Sequence, residues 1–176
     1  KKVTSKILDK KIYYTGTALT PRVSLSYKKM GLTEGKDYQI SYSSNINKGK
    51  GYITVTGLGN YNGTKTIKFT ISARKMKEAN IVMSATQDTY DGPTQYPTIS
   101  VSYNGITLRQ GTDYTISYPK NLKSGNNTIK VKGRVNFTGT VSLKYKVNKA
   151  SLENAVVTLP YAWAYTGKNV KVVPTR

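Results

Sequence analysis

Apolar and polar residues alternate along several short stretches of the chain. In residues 23–27 (VSLSY) the odd positions are apolar and the even positions are serine, and the same period of two recurs in residues 38–42, 53–55 and 67–71. A period of two places successive side chains on opposite faces of a strand. These stretches therefore predict β-strands with one buried face, whereas no stretch has a sustained helical period.

Turn-forming residues separate the predicted strands at intervals of roughly 8 to 12 residues. Examples are Asn62-Gly63, Asn104-Gly105 and Gln110-Gly111. Glycine supplies the backbone conformations that tight turns require, and asparagine tolerates them. Many short alternating strands joined in this way are typical of an all-β sandwich with immunoglobulin-like topology.

The pattern is copied along the chain with an offset of 76 residues (111 − 35), since GKDYQISY at 35–42 returns as GTDYTISY at 111–118. NYNGT at 60–64 returns as NFTGT at 136–140, and YTG at 14–16 appears again at 165–167. We expect two tandem immunoglobulin-like β-sandwich repeats in an elongated rod, at residues 1–73 and 74–148. Residues 149–176 are expected to be an incomplete third unit.

The recurring octapeptide has a structural interpretation at each position. Gly35 and Gly111 are expected at positive φ in a turn, where Asp37 and Asp113 accept hydrogen bonds from neighbouring amides. The following Tyr, Ile and Tyr share one strand face, with each tyrosine ring buried and its hydroxyl at the rim of the sandwich. The repeated residues are therefore interpreted as architecture and not as a duplicated active site.

The links between the units contain neither glycine nor proline. Residues 71–82 and 147–157 consist of apolar, charged and small polar residues, so they are predicted to be stiff. Met76 and Leu152 occupy matching positions in the two links. Both side chains are expected to pack between neighbouring units.

The amino-acid composition excludes the classes of catalytic site that depend on cysteine or histidine. The 176 residues include no cysteine and no histidine, and none of the eight acidic residues forms a close pair suited to acid/base catalysis or a calcium loop. Disulfides, thiolate or imidazole metal sites, and Ser-His-Asp triads are excluded. We expect no enzyme activity, no cofactor and no metal. No apolar run is long enough to cross a bilayer, so no membrane insertion is expected.

The formal net charge of +20 suggests a polyanionic partner, yet only five of the 28 basic residues are arginine. Specific nucleic-acid recognition, which relies on guanidinium geometry, is therefore not expected. Outward positions of two late strands in copy two carry candidate binding residues Lys130, Lys132, Lys144 and Lys146. The corresponding strands of copy one offer Thr54, Thr56, Thr66 and Lys68. The lysines form either an anion-binding surface or an ordinary solvated face.

A second candidate is the segment YAWAY at residues 161–165, which places three aromatic side chains on one side of a predicted strand. Tyr161 and Trp163 could form a platform that stacks on sugar rings. The alternative is that they belong to the core of a sandwich completed by further strands. An aromatic stripe left without those strands would dock on unit two or stay exposed.

The ordered set YTG, P, GxDYxISYxxN and GNYxGT resembles the bacterial immunoglobulin-like surface repeats of Firmicutes. This resemblance covers residues 12–148 and, in broken form, 150–176, where Pro174 lies two positions later than the earlier spacing. It implies a secreted or cell-surface location and a non-catalytic stalk that binds an extracellular protein or glycan. It also implies turn roles for the sequon residues Asn62, Asn126 and Asn136.

The resemblance leaves two alternatives to the stalk. One is a dedicated binder of a host protein, with an immunoglobulin as a candidate, which could use an exposed sheet edge or face. The other is a spacer or accessory segment of a carbohydrate-active enzyme. In each case the chain is expected to be a monomer.

Overall fold

The computed structural model describes residues 3–90 and 96–154, and this part of the chain is all-β. Its helical residues are limited to two single 3-10 turns, at Met76–Glu78 and Leu152–Asn154. The strands form several small sheets, an arrangement consistent with a β-sandwich. We call residues 3–73 the first unit and residues 74–148 the second unit.

The first unit has two three-stranded antiparallel sheets. One has the order β1-β2-β3, with β1 at Thr4–Ile7, β2 at Val23–Tyr27 and β3 at Met30–Gly31. The other has the order β4-β5-β6, with β4 at Tyr38–Ser43, β5 at Gly49–Gly57 and β6 at Thr64–Ile71.

The second unit repeats this plan. It begins with β7 at Arg74–Lys75, β8 at Asn80–Met83, β9 at Gln87–Thr89, β10 at Ile99–Tyr103 and β11 at Ile106–Thr107. It continues with β12 at Tyr114–Ser117, β13 at Gly125–Gly133, β14 at Phe137–Thr138 and β15 at Thr140–Asn148. The sheets have the orders β11-β10-β8 and β12-β13-β15-β9. Strands β10, β11 and β13 follow β2, β3 and β5 at the same offset as the sequence repeat.

The entering segment of each unit contacts both sheets in turn. In the second unit, β8 pairs antiparallel with β10, and β9 then pairs in parallel with the last strand β15. In the first unit, β1 pairs antiparallel with β2, and Tyr13 then makes a parallel bridge to Ser72. Each unit therefore joins its first and last segments side by side.

The buried side chains come from both sheets, as the alternating pattern predicts. Leu25 of the first sheet is packed in one cluster with Tyr38, Ile53 and Phe69 of the second sheet. Ile53 is completely buried, and the polar residues between the inward positions face solvent or are half-buried. Burial of these apolar faces against each other is the main stabilising contribution to a fold of this kind.

The octapeptide has the predicted structural role in both units. Gly35 and Gly111 have φ angles of +82° and +88°. In the adjoining turns, Asp37 Oδ2 accepts a hydrogen bond from the backbone N–H of Thr33, and Asp113 Oδ2 accepts one from Arg109, each at 2.8 Å.

The second tyrosine of each octapeptide is held at the rim of the sandwich. The hydroxyl of Tyr42 donates to the carbonyl of Pro21 at 3.0 Å, and that of Tyr118 donates to Pro97 at 3.1 Å. Both rings are half-buried. The residues of the octapeptide thus have the turn and strand positions that the sequence predicted.

The two units meet in a packed joint. Tyr14 of the first unit contacts the rings of Tyr103 and Phe137 of the second unit. Strand β7 of the link pairs in parallel with β14, through Phe137 opposite Arg74. The cluster of buried side chains that contains Met76 includes residues of both units. Met76 is completely buried in this cluster, and the 3-10 turn that carries it contacts β13 and β15 of the second unit.

Two expectations about the links and turns are wrong. Leu152 is 87% exposed, so its side chain is not buried as that of Met76 is. Asn136 is more than a turn residue, since it is 4% exposed at the joint. Its Oδ1 accepts from the backbone N–H of Lys48 at 2.7 Å, and its Nδ2 donates to Asn47 Oδ1 at 2.9 Å.

Candidate binding surfaces

The four candidate lysines of the second unit lie on one face of its larger sheet. In the antiparallel register of β13 and β15, Lys130 lies opposite Ser142 and Lys144 lies opposite Thr128. All four lysines are exposed, whereas the alternate residues of both strands, such as Ile129 and Val131, are buried or half-buried. We call Lys130, Lys132, Lys144 and Lys146 the basic face.

The register of the strands sets the spacing of the charges. Lysines two residues apart on one strand have Cα atoms about 7 Å apart, and Lys130 and Lys144 are diagonal neighbours at a similar separation. Lys132 and Lys146 extend the row at its two ends. The arrangement is a diagonal stripe of ammonium groups across two strands.

Acidic side chains do not neutralise this stripe. The ion pairs found between described residues are Arg22 with Asp9 and Arg74 with Glu78, so none involves the basic face. Lys144 Nζ donates to the hydroxyl of its cross-strand neighbour Thr128 at 3.3 Å. Like charges in this proximity raise the local positive potential, which favours an anionic ligand.

The basic face belongs to the second unit alone. At the offset of the repeat, the positions of Lys130, Lys132, Lys144 and Lys146 correspond to Thr54, Thr56, Lys68 and Thr70 in the first unit. The counterpart of Lys146 is therefore Thr70, and Thr66, which was expected in this set, is not a member of it. The other two candidates, Tyr161 and Trp163, lie outside the described residues.

The structure also has a surface pocket that the sequence did not predict. Its volume is about 270 Å³, and it lies at the end of the first unit, between the two sheets. Its apolar lining includes Val3, Leu25, Leu32, Val55 and the rings of Tyr38 and Tyr61. The stem of Lys65 completes one side, and its Nζ donates to the backbone carbonyl of Val3 at 2.7 Å.

The titratable groups with raised pKa values are tyrosines of the two units. Burial raises the pKa values of Tyr38, Tyr42, Tyr114 and Tyr118 above the ordinary value of 10.0. Burial also raises the pKa of Tyr14, and the negative charge of Asp113 adds to the effect. Shifts of this direction stabilise the neutral phenol and mark packing positions.

The described ranges, 3–90 and 96–154, hold no group of three or more histidine, cysteine, aspartate or glutamate side chains placed to bind a metal ion. They also hold no helix with the length and apolar character needed to span a bilayer.

Comparison of the chain with protein-family models, with curated proteins and with solved structures found no match.

Proposed function

We propose that the chain is a non-catalytic module of a bacterial cell-surface or secreted protein. In this proposal, two immunoglobulin-like repeats form a stalk, and the second unit binds an acidic extracellular glycan or protein through its basic face. The resemblance of the repeated motifs to bacterial surface repeats supports the location. The packed joint supports the stalk, because a link with a buried core restricts rotation between the units.

The observation that carries the binding proposal is the stripe of four exposed lysines without an acidic partner among the described residues. Each ammonium group is a compact point charge on a flexible stem, and lysine lacks the planar fork with which arginine recognises one fixed geometry. A row of such groups suits a ligand with regularly repeated negative charges, for example a sulfated or sialylated glycan or an acidic protein segment.

The experiment compares two variants that lose the same amount of charge. The first replaces the basic face, as Lys130→Gln, Lys132→Gln, Lys144→Gln and Lys146→Gln. The control replaces four exposed lysines of the first unit, as Lys6→Gln, Lys10→Gln, Lys11→Gln and Lys36→Gln. Binding of each variant and of the unchanged protein to heparin is measured by calorimetry at about 50 and 150 mM salt.

We expect the basic-face variant to lose about tenfold or more in affinity, and the control variant to lose much less. The salt dependence of binding should decrease only in the basic-face variant, because fewer counterions are released. Equal losses in the two variants would mean that net charge alone attracts the polyanion. Unchanged binding in the basic-face variant would exclude this surface.

A further inference from the structure

The pocket of the first unit corresponds to a filled position in the second unit. At the offset of the repeat, its lining residues Leu25, Leu32 and Tyr61 become Val101, Leu108 and Phe137. In the second unit these side chains share one buried cluster with Met76, which is completely buried. The 3-10 turn that carries Met76 contacts β13 and β15, the counterparts of β5 and β6.

The exposure of the lining residues differs between the units accordingly. Leu32 and Tyr61 are half-buried, whereas their counterparts Leu108 and Phe137 are 5% and 2% exposed. An apolar pocket of about 270 Å³ can receive a side chain of the size of methionine. Among the described residues, none therefore fills in the first unit the place that Met76 fills in the second.

An aromatic pair beside the pocket also lacks its third member. Tyr27 and Tyr61 meet edge to face, with ring centroids 6.0 Å apart and planes at 78°. Their counterparts Tyr103 and Phe137 have nearly the same geometry, at 5.3 Å and 80°. Tyr14 packs on that second pair, whereas no further ring of the described residues packs on Tyr27 and Tyr61.

We propose that this end of the first unit is a docking socket for the link of a preceding repeat of the same type. The link would place an unbranched apolar side chain in the pocket, as Met76 does in the second unit, and an aromatic ring of the preceding repeat would pack on Tyr27 and Tyr61. The joint inside this chain is the observation that identifies the occupant. The inference does not depend on any anionic ligand.

The register of the repeat defines how such a link would enter. Ala79 follows Met76 by three residues, and its counterpart Val3 lies at the edge of the pocket. A link that follows the same register would therefore place its pocket-filling residue immediately before Lys1. Lys65 stands where the second unit has Val141, so the socket of the first unit has one partly polar wall.

The test adds the chain's own link sequence in front of Lys1. One protein carries Ile-Ser-Ala-Arg-Lys-Met, the sequence of residues 71–76, and its control carries Ile-Ser-Ala-Arg-Lys-Asp. The rest of the chain is unchanged in both, so the two proteins differ only in the residue offered to the pocket. Thermal unfolding and amide hydrogen exchange at Leu25, Leu32 and Tyr61 are measured for the two proteins.

We expect the methionine extension to raise the unfolding midpoint by about 5 °C relative to the aspartate extension. Exchange at the three reporter amides should slow only with methionine. Lys65→Val should enlarge the difference, because it makes the wall of the socket as apolar as in the second unit. Indistinguishable behaviour of the two extensions would overturn the proposal.

Self-association of the chain provides a second test. A head-to-tail oligomer that forms without any extension, and that Leu152→Asp abolishes, would identify a second copy as the occupant of the socket. That result in sedimentation would also overturn the proposal. A chain that is monomeric both with and without the methionine extension supports it.

Discussion

The ring of Tyr14 packs edge-on against the ring of Phe137, with 5.6 Å between the centroids and 80° between the planes. The two residues belong to different units, yet both are buried, at 7% and 2% exposure. Edge-to-face contacts of this geometry contribute beyond the burial of apolar area. The joint is therefore part of the hydrophobic core and resembles an interior more than a surface contact.

Truncation of Phe137 tests how much this contact contributes to the free energy of unfolding. We expect Phe137→Ala to lower the free energy of unfolding by about 3–5 kcal/mol, because it removes a fully buried ring and leaves a cavity. Denaturant unfolding followed by circular dichroism measures the change. The matched control is Tyr61→Ala at the corresponding half-buried position of the first unit, which should cost less than half as much. Equal costs would mean that the joint adds nothing to the packing of Phe137.

The buried amide of Asn136 provides a second prediction. Asn136→Ala removes the acceptor of the Lys48 amide and the donor to Asn47, so we expect a loss of about 1–3 kcal/mol in unfolding free energy. The corresponding residue of the first unit, Asn60, is exposed. Asn60→Ala should change stability by about 0.5 kcal/mol or less in urea titration. A neutral Asn136→Ala would show that water replaces both hydrogen bonds.

A substitution at Gly16 tests how closely the backbone of the first unit approaches the second unit at the joint. Its φ is +95°, and a Cβ at this position would overlap Cδ1 of Ile106 in the second unit. Gly35 has a similar φ of +82° with open space around it. We expect Gly16→Ala to destabilise the protein by about 1 kcal/mol more than Gly35→Ala, because it adds overpacking to the shared backbone strain. Thermal unfolding of the two variants measures the difference, which disappears if Ile106 can rotate away.

The raised pKa values of the tyrosines predict loss of stability at alkaline pH. Each folded-state pKa lies above the unfolded value of about 10, so the contribution to stability is complete below pH 10. It is lost as the pH rises through the folded-state pKa values, because ionisation then favours unfolding. Unfolding midpoints from about pH 9 to 12 and tyrosinate absorbance follow both events.

A variant without two of these phenols provides the control. Phenylalanine cannot ionise, so Tyr38→Phe combined with Tyr114→Phe should flatten the decline in stability above pH 10. Stability that falls with the same slope in the variant would assign the alkaline transition to other groups.

Local features of the fold were predictable from the sequence. The alternation in residues 23–27 and 38–42 identified strands β2 and β4, because the side-chain period of a strand is fixed by its backbone. The turn at Gly35 and Asp37 was predictable for a similar reason, since the conformation and the hydrogen bond are both local. The offset of the repeat then extended each of these predictions to the second unit.

The joint could be predicted only in part. The matching of Met76 and Leu152 indicated apolar residues in the links, but it did not reveal the parallel pairing of β7 with β14 or the role of Asn136. These contacts join residues that are far apart in sequence, so no local period records them. The pocket was missed for the same reason, since it becomes visible only when the two units are superposed residue by residue.

The basic face was predictable because alternation alone places Lys130 and Lys132 outward. The cross-strand register was not, since a shift by two residues would keep the same side outward and change which lysines are neighbours. The register of β13 with β15 is what brings Lys130 and Lys144 together on a diagonal.

The parallel pairing of β9 with β15 determines how the second unit would respond to tension. A pull on the two ends of that unit drags these neighbouring strands in opposite directions along their length. The backbone hydrogen bonds around them include those from Lys146 N–H to the Thr86 carbonyl and from Tyr90 N–H to the Asn148 carbonyl. Under such a pull these hydrogen bonds bear the load together, instead of breaking one after another. Tyr13 and Ser72 have the same relationship in the first unit. Mechanical resistance to shear is thus built into the way each unit closes.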